Sequence, residues 1–198
     1  MHDDMGRLLD TITALDSKDW YAREALAKNP DTPGEALAVL ATDEDWGIRE
    51  AVAGNPNTPD ETLDRLATDE SWRVRQAVAR NSRTPVEALA VLATDENWRV
   101  RQAVARNSRT PVEALAVLAM DEYWYVRCTV ACNPNAPGEI LDRLAGDENI
   151  NVRGAVAVNP KITPEAITLL CFSEESDIRK SLSENPAVPE HIRVGLIL

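Results

Sequence analysis

The chain has 198 residues, a formal net charge of -12, an apolar share of 44%, five tryptophans, one phenylalanine and three cysteines. That charge disfavours a polyanion as partner for the protein as a whole, and no window approaches the roughly 18 apolar residues that a membrane span needs. Three cysteines do not make a disulfide framework, and no apolar stretch follows Met1 to act as a secretory signal, so a reducing cytoplasm is the expected compartment.

The first predicted element is a capping helix within residues 1–19, where Leu8, Leu9, Ile12 and Leu15 fall at helical spacing. From there to residue 198 a block of the form W-x-V-R-x-A-V-A-x-N-P-x-T-P-x-E-x-L-x-x-L-A-x-D-E returns every 26 residues. Trp20, Trp46, Trp72, Trp98 and Trp124 head five blocks, and Ile150 and Ser176 take the same place in two more, giving about seven units. An arginine recurs at Arg23, Arg49, Arg75, Arg101, Arg127, Arg153 and Arg179, and an asparagine at Asn29, Asn55, Asn81, Asn107, Asn133, Asn159 and Asn185. The blocks Trp72 to Glu96 and Trp98 to Glu122 differ only at Thr94 against Met120. A unit this small cannot bury its own apolar face, so stacked units share a continuous core.

Within the block headed by Trp46, the residues Ile48, Ala51, Val52 and Asn55 lie on one side of a predicted first helix. Asn55 precedes Pro56, which pushes it out of the α region and ends that helix. Thr58-Pro59-Asp60-Glu61 then reads as a capping box, with Thr58 as N-cap, Pro59 at N1 and Glu61 at N3. The signal returns from Thr32, Thr84 and Thr110. Leu63, Leu66 and Ala67 form the buried stripe of the second helix, and Asp69 is placed to cap the next first helix. Some of these helices are expected to be 3₁₀, since they are barely two to three turns long. Later blocks depart from the pattern: Thr163-Pro164 sits one residue late, and the last block reads Val188-Pro189-Glu190-His191, without the threonine. That carboxyl end is expected to be the least stable part.

The pattern V-R-x-A-V-A-x-N-P-x-T-P-x-E-x-L-x-x-L-A-x-D resembles the leucine-rich repeat variant (LRV) family, from about Trp20 onward. The resemblance implies an all-α fold, a right-handed superhelical solenoid of alternating α and 3₁₀ helices with no sheet, and no enzymatic activity. Some members carry an amino-terminal iron–sulfur domain with clustered cysteines. No cysteine here precedes Cys128, so that cofactor is not carried over.

The arginine ladder could bind phosphate or carboxylate, but each arginine is close to the Asp-Glu pair ending the preceding unit, and bidentate pairing there would tie units together. The asparagine amides are placed to satisfy backbone groups of the turn. The tryptophans fit either an exposed stacking stripe or wedges between units, and packing is the stronger reading. Cys128 and Cys132 stand four residues apart without a nearby histidine, so no metal or other cofactor is expected. No Ser/His/Asp set, phosphate loop or carboxylate pair stands apart from the repeat, so no catalytic residue is assigned.

The slots that vary are more informative. On the first helices they lie before the valine, after the arginine and before the asparagine, and they share one helical face. In the middle of the chain they read Arg73, Gln76, Arg80, Arg99, Gln102 and Arg106, followed by Tyr125. These residues are the candidate binding surface. A scaffold that binds an unidentified protein or peptide along this face is the expected function. The alternative is a nucleic-acid binder that uses the central arginines on phosphates.

Overall fold

The computed structural model describes residues 19–196, so the capping helix expected over residues 8–16 lies outside the described residues. Among the described residues there are fourteen helices and no strand. The first helices are α1 (Trp20–Lys28), α3 (Trp46–Gly54), α5 (Trp72–Arg80), α7 (Trp98–Arg106), α9 (Trp124–Cys132), α11 (Ile150–Val158) and α13 (Ser176–Glu184). They alternate with the second helices α2 (Gly34–Leu40), α4 (Asp60–Leu66), α6 (Val86–Leu92), α8 (Val112–Leu118), α10 (Gly138–Ala145), α12 (Pro164–Cys171) and α14 (Glu190–Gly195). The chain divides into two compact units, one up to Val104 and one from Ala105, with the boundary inside α7.

In the first unit α1 packs on α3 and α3 on α5, while α2 and α4 each lean on the first helix before and after them. In the second unit α9 packs on α11 and α11 on α13, with α10 and α12 filling the second layer. Each core is the seam between the two layers. Ile48, Val52, Leu37, Leu63 and Leu89 are fully buried in the first unit, and Val126, Val130, Leu141, Val152 and Val156 in the second. Each such side chain contributes about 1.5–3 kcal/mol over its exposed state. Ala53 is buried where Ala51 was expected, and Ala51 is half-buried. The second helices have an α body, as in Ala41 N–H to Leu37 C=O at 2.9 Å. They are bracketed by i→i+3 bonds of the 3₁₀ kind, such as Thr42 to Val39.

The first helices stop where proline requires. Asn55 is extended at φ -74° and ψ 131°. Its side chain does more than the turn demanded. Its Oδ1 accepts from Asn57 N–H at 2.9 Å, and its Nδ2 donates to Ala27 and Asn29 carbonyls of the preceding repeat, both at 2.8 Å. Asn81, Asn133, Asn159 and Asn185 repeat the bonds to the preceding repeat. The asparagine ladder therefore ties the backbones of successive repeats.

The arginine ladder is also structural, but its carboxylate partners are on the other side from those expected. Arg49 Nε and Nη2 donate to the Asp69 carboxylate at 2.6 and 3.1 Å, in the loop that follows its own helices. The preceding Asp43-Glu44 pair offers backbone instead: their carbonyls accept from Nη1 at 2.8 and 3.0 Å. One buried guanidinium thus joins two successive loops. Arg75 and Arg127 repeat the arrangement with Asp95 and Asp147. The hydrogen bond that each guanidinium donates to its aspartate holds Arg49, Arg75 and Arg127 above the ordinary arginine range. Burial alone would raise Asp147, but bonds from Arg127 and from the Asn149 N–H outweigh it and hold the carboxyl below its usual range. Where the aspartate is replaced by Ser173, Arg153 pairs with Glu175 instead.

The expected capping boxes do not form at Thr32, Thr58 or Thr84. Pro33, Pro59 and Pro85 are the N-cap residues there and make no side-chain cap. The three threonines are buried, and their hydroxyls donate back to the first helix, as in Thr58 Oγ1 to Val52 C=O at 2.5 Å. Burial explains why later repeats put Ala136, Ile162 and Val188 in that slot, all buried. Thr163, one residue late, does cap: its Oγ1 accepts from Ala166 N–H at 3.0 Å with Pro164 at N1. Asp69 is not the N-cap of α5 either. Ser71 is, and Asp69 accepts from its N–H at 2.8 Å in the preceding turn. At the carboxyl end α14 buries no residue, in keeping with the weak final block.

Candidate binding surface

In α3, α5, α9 and α11 the buried side of the first helix is filled by aliphatic residues and alanine, flanked by the two ladders. The remaining slots must face outward. In the first unit Arg73, Arg80 and Arg99 are exposed, and Gln76 and Gln102 are half-buried. In the second unit Arg106 and Tyr125 are exposed.

These side chains are positioned as well as exposed. The guanidinium of Arg73 lies 4.9 Å from the ring centroid of Trp46 and 4.8 Å from that of Trp72. That of Arg99 lies 5.6 Å from Trp72 and 4.6 Å from Trp98. Each arginine thus spans the indole of its own repeat and that of the repeat before, at cation–π distance. Gln76 Nε2 donates to the Arg99 carbonyl at 3.2 Å and links α5 to α7, so part of its capacity is structural. Tyr125 stacks on Trp124, with centroids 3.7 Å apart and planes 24° from parallel.

The tryptophans sit at the rim of the core rather than inside it. Trp46 is 44% exposed, and Trp20, Trp72, Trp98 and Trp124 are half-buried. Each opens the first turn of its helix, at the rim of a seam whose interior is sized for valine and alanine. The sequence signal for the stacking was the adjacent Trp-Arg pair at 72–73 and 98–99, which a reading of the tryptophans and the variable slots as separate features passes over.

A cleft of about 720 Å³ opens on the same face near the start of the first unit. Trp20, Glu24, Trp46, Gly47, Glu50 and Gly54 line it. It exists because two outer slots of α3 are glycine, whereas the same slots of α5 carry Arg73 and Arg80.

In the second unit the slots of α9 hold Cys128 and Cys132. Their mutual hydrogen bond, helped by Arg106, brings Cys132 down to about 7 and pushes Cys128 up. Cys128 Sγ lies 3.6 Å from the Asn151 carbonyl, the counterpart of the Gln76 link. Among the described residues no group of three or more His, Cys, Asp or Glu is placed to hold a metal ion, and no helix is long and apolar enough to cross a membrane.

No curated protein matches the chain by sequence. Among the solved structures that resemble it are the following two. One is described as a leucine-rich repeat variant with a novel repetitive protein structural motif, at 29% identity and a TM-score of 0.62, over 83% of this chain and 70% of the other. The other is YibA of Escherichia coli, at 16% identity and a TM-score of 0.58, over 97% of this chain and 94% of that one, a likeness of fold. The family model described as leucine rich repeat variant matches residues 20–45, 46–71, 72–97, 98–122 and 124–149. With the two-helix repeat and more than half of its residues matched, the chain belongs to the leucine rich repeat variant family.

Proposed function

We propose that the protein is a non-catalytic scaffold that binds a protein or peptide along the outer face of its first helices. The observation that carries this reading is the fixing of Arg73 and Arg99 between successive indoles. A long exposed arginine ordinarily loses rotamer freedom on binding. Here stacking has already restricted it, while its N–H edges remain available to carboxylates or carbonyls. Arg80 and Arg106 extend the basic slots of these repeats, and Gln76, Gln102 and Tyr125 supply polar and aromatic contacts typical of peptide-binding surfaces. A net charge of -12 favours a protein partner over a nucleic acid.

The test is a selection of displayed random peptides on the full-length protein, followed by titration of the recovered sequences against a variant carrying Arg73→Glu, Arg80→Glu, Arg99→Glu and Arg106→Glu. The expected result is acidic peptides whose affinity falls at least tenfold on the variant, chiefly through slower association. Peptides that bind both proteins equally would remove this face from consideration. Binding instead to single-stranded nucleic acid, with affinity falling steeply as salt is added, would replace the peptide by a polyanion.

A further inference from the structure

We propose that the cleft beside Trp20 and Trp46 is a receptor for an arginine side chain of the bound peptide. This rests on the peptide-binding reading of the same face. The argument is one of register. Where an arginine follows the tryptophan it sits between its own indole and that of the preceding repeat: Arg73 between Trp46 and Trp72, Arg99 between Trp72 and Trp98. One repeat earlier the same slot, between Trp20 and Trp46, is Gly47. The chain supplies no guanidinium at that step, and both indoles line open space.

The electrostatics of the cleft agree with a cationic occupant. Glu50, one helical turn from Gly47, lines it and has no ion-pair partner among the described residues. The other acids are engaged. Glu24 is paired with Lys28 at 2.5 Å, and Asp45 accepts from the Gly47 N–H at 2.7 Å. The cations Lys28 and Arg80 also line the cleft, but Lys28 is committed to Glu24, and Arg80 takes the slot of Gly54, seven residues and so about 10 Å along the helix from that of Gly47. Indoles around a guanidinium, with one uncommitted carboxylate nearby, form an arginine site by the chemistry the next two repeats use internally.

Two variants probe it. Gly47→Arg places the side chain where Arg73 and Arg99 stand. The added Cβ would meet only the Asp45 carboxylate, at 2.9 Å, and the Asn97 and Arg99 pair shows that a side-chain cap and an arginine coexist there. Glu50→Gln removes the charge and leaves the shape. The probe is acetyl-Gly-Arg-Gly-amide, with its citrulline counterpart as a neutral control of the same outline. Binding is read from the five indole N–H resonances of the full-length protein, with Trp20→Phe and Trp46→Phe used to assign them.

The arginine peptide should move the Trp20 and Trp46 signals. The citrulline peptide should bind at least tenfold more weakly, Gly47→Arg should abolish the shifts with the helical circular dichroism kept, and Glu50→Gln should weaken them several-fold. Equal shifts from the two peptides, no shift at all, or undiminished binding by Gly47→Arg would overturn the assignment. Should Gly47→Arg fail to fold, undiminished binding by Glu50→Gln would overturn it. The two readings fail separately. Indoles unmoved by arginine while selected peptides still distinguish the fourfold glutamate variant would sink the cleft alone. An arginine response with peptides indifferent to that variant would sink the central stripe alone.

Discussion

The inner and outer faces of the first helices obey opposite rules. On the inner face the same bonds return in repeat after repeat: asparagine amide to the preceding backbone, arginine to aspartate 20 residues on. On the outer face the occupant changes, from Glu24 and Lys28 through glycine and arginine to Cys128 and Cys132. A ladder that must close on its own copy one repeat away tolerates little change, because an altered rung orphans a partner in each neighbour. An outer slot answers to solvent or to a ligand, and can differ at each step. The difference assigns the inner face to stability and supports the proposal that the outer face serves recognition.

Breaking the inner face should have the largest effects. Arg49→Ala would leave the Asp69 carboxylate, with only 8% of its side chain exposed, without its guanidinium. The expected loss is about 3 kcal/mol, read by urea unfolding. A loss below about 1 kcal/mol would move the arginine ladder out of the structural set. Asn55→Ala removes the amide that serves two carbonyls of the preceding repeat and should cost about 2 kcal/mol.

The acid limb sharpens the comparison within the inner face. Asp147 is held below its ordinary range in the folded state. Its contribution is therefore fully present above the unfolded value of about 3.9 and is lost as pH falls through the lower folded value. Stability measured from pH 6 down to 2.5 should fall more steeply in the wild type than in Asp147→Asn. Parallel curves would show that the pair adds nothing to acid stability. Thr58→Val should have the smallest effect, below about 1 kcal/mol, because it keeps the buried volume and loses one hydrogen bond. The chain itself places Val188 in that slot.

Much of this organisation was legible in the residues. The period, the two helices per unit, the stop at Asn-Pro and the leucine stripe follow from local rules, and local rules are what a sequence displays. Three features depended on which copy of a ladder meets which. The arginine partner lies in the following loop, the asparagine reaches the preceding repeat, and Arg73 spans Trp46 as well as Trp72. A repeat looks the same in both directions along the chain, so spacing alone could not choose. Thr58 misled for a different reason. Thr-Pro-x-Glu carries a capping signature, but the chain turns one residue later, and the hydroxyl faces the core. The outer-slot arginines were legible as a group; the cleft became visible only when Gly47 was read against the stacked positions of Arg73 and Arg99.

The division of labour between the faces meets its most direct test in one variant carrying Arg73→Ala, Arg80→Ala, Arg99→Ala and Arg106→Ala, on which unfolding free energy and affinity for a selected peptide are measured together. Loss of the stacked cations should lower stability by no more than about 2 kcal/mol, while affinity falls at least tenfold. Unchanged affinity, or a stability loss as large as that of Arg49→Ala, would contradict the assignment of the outer face to recognition.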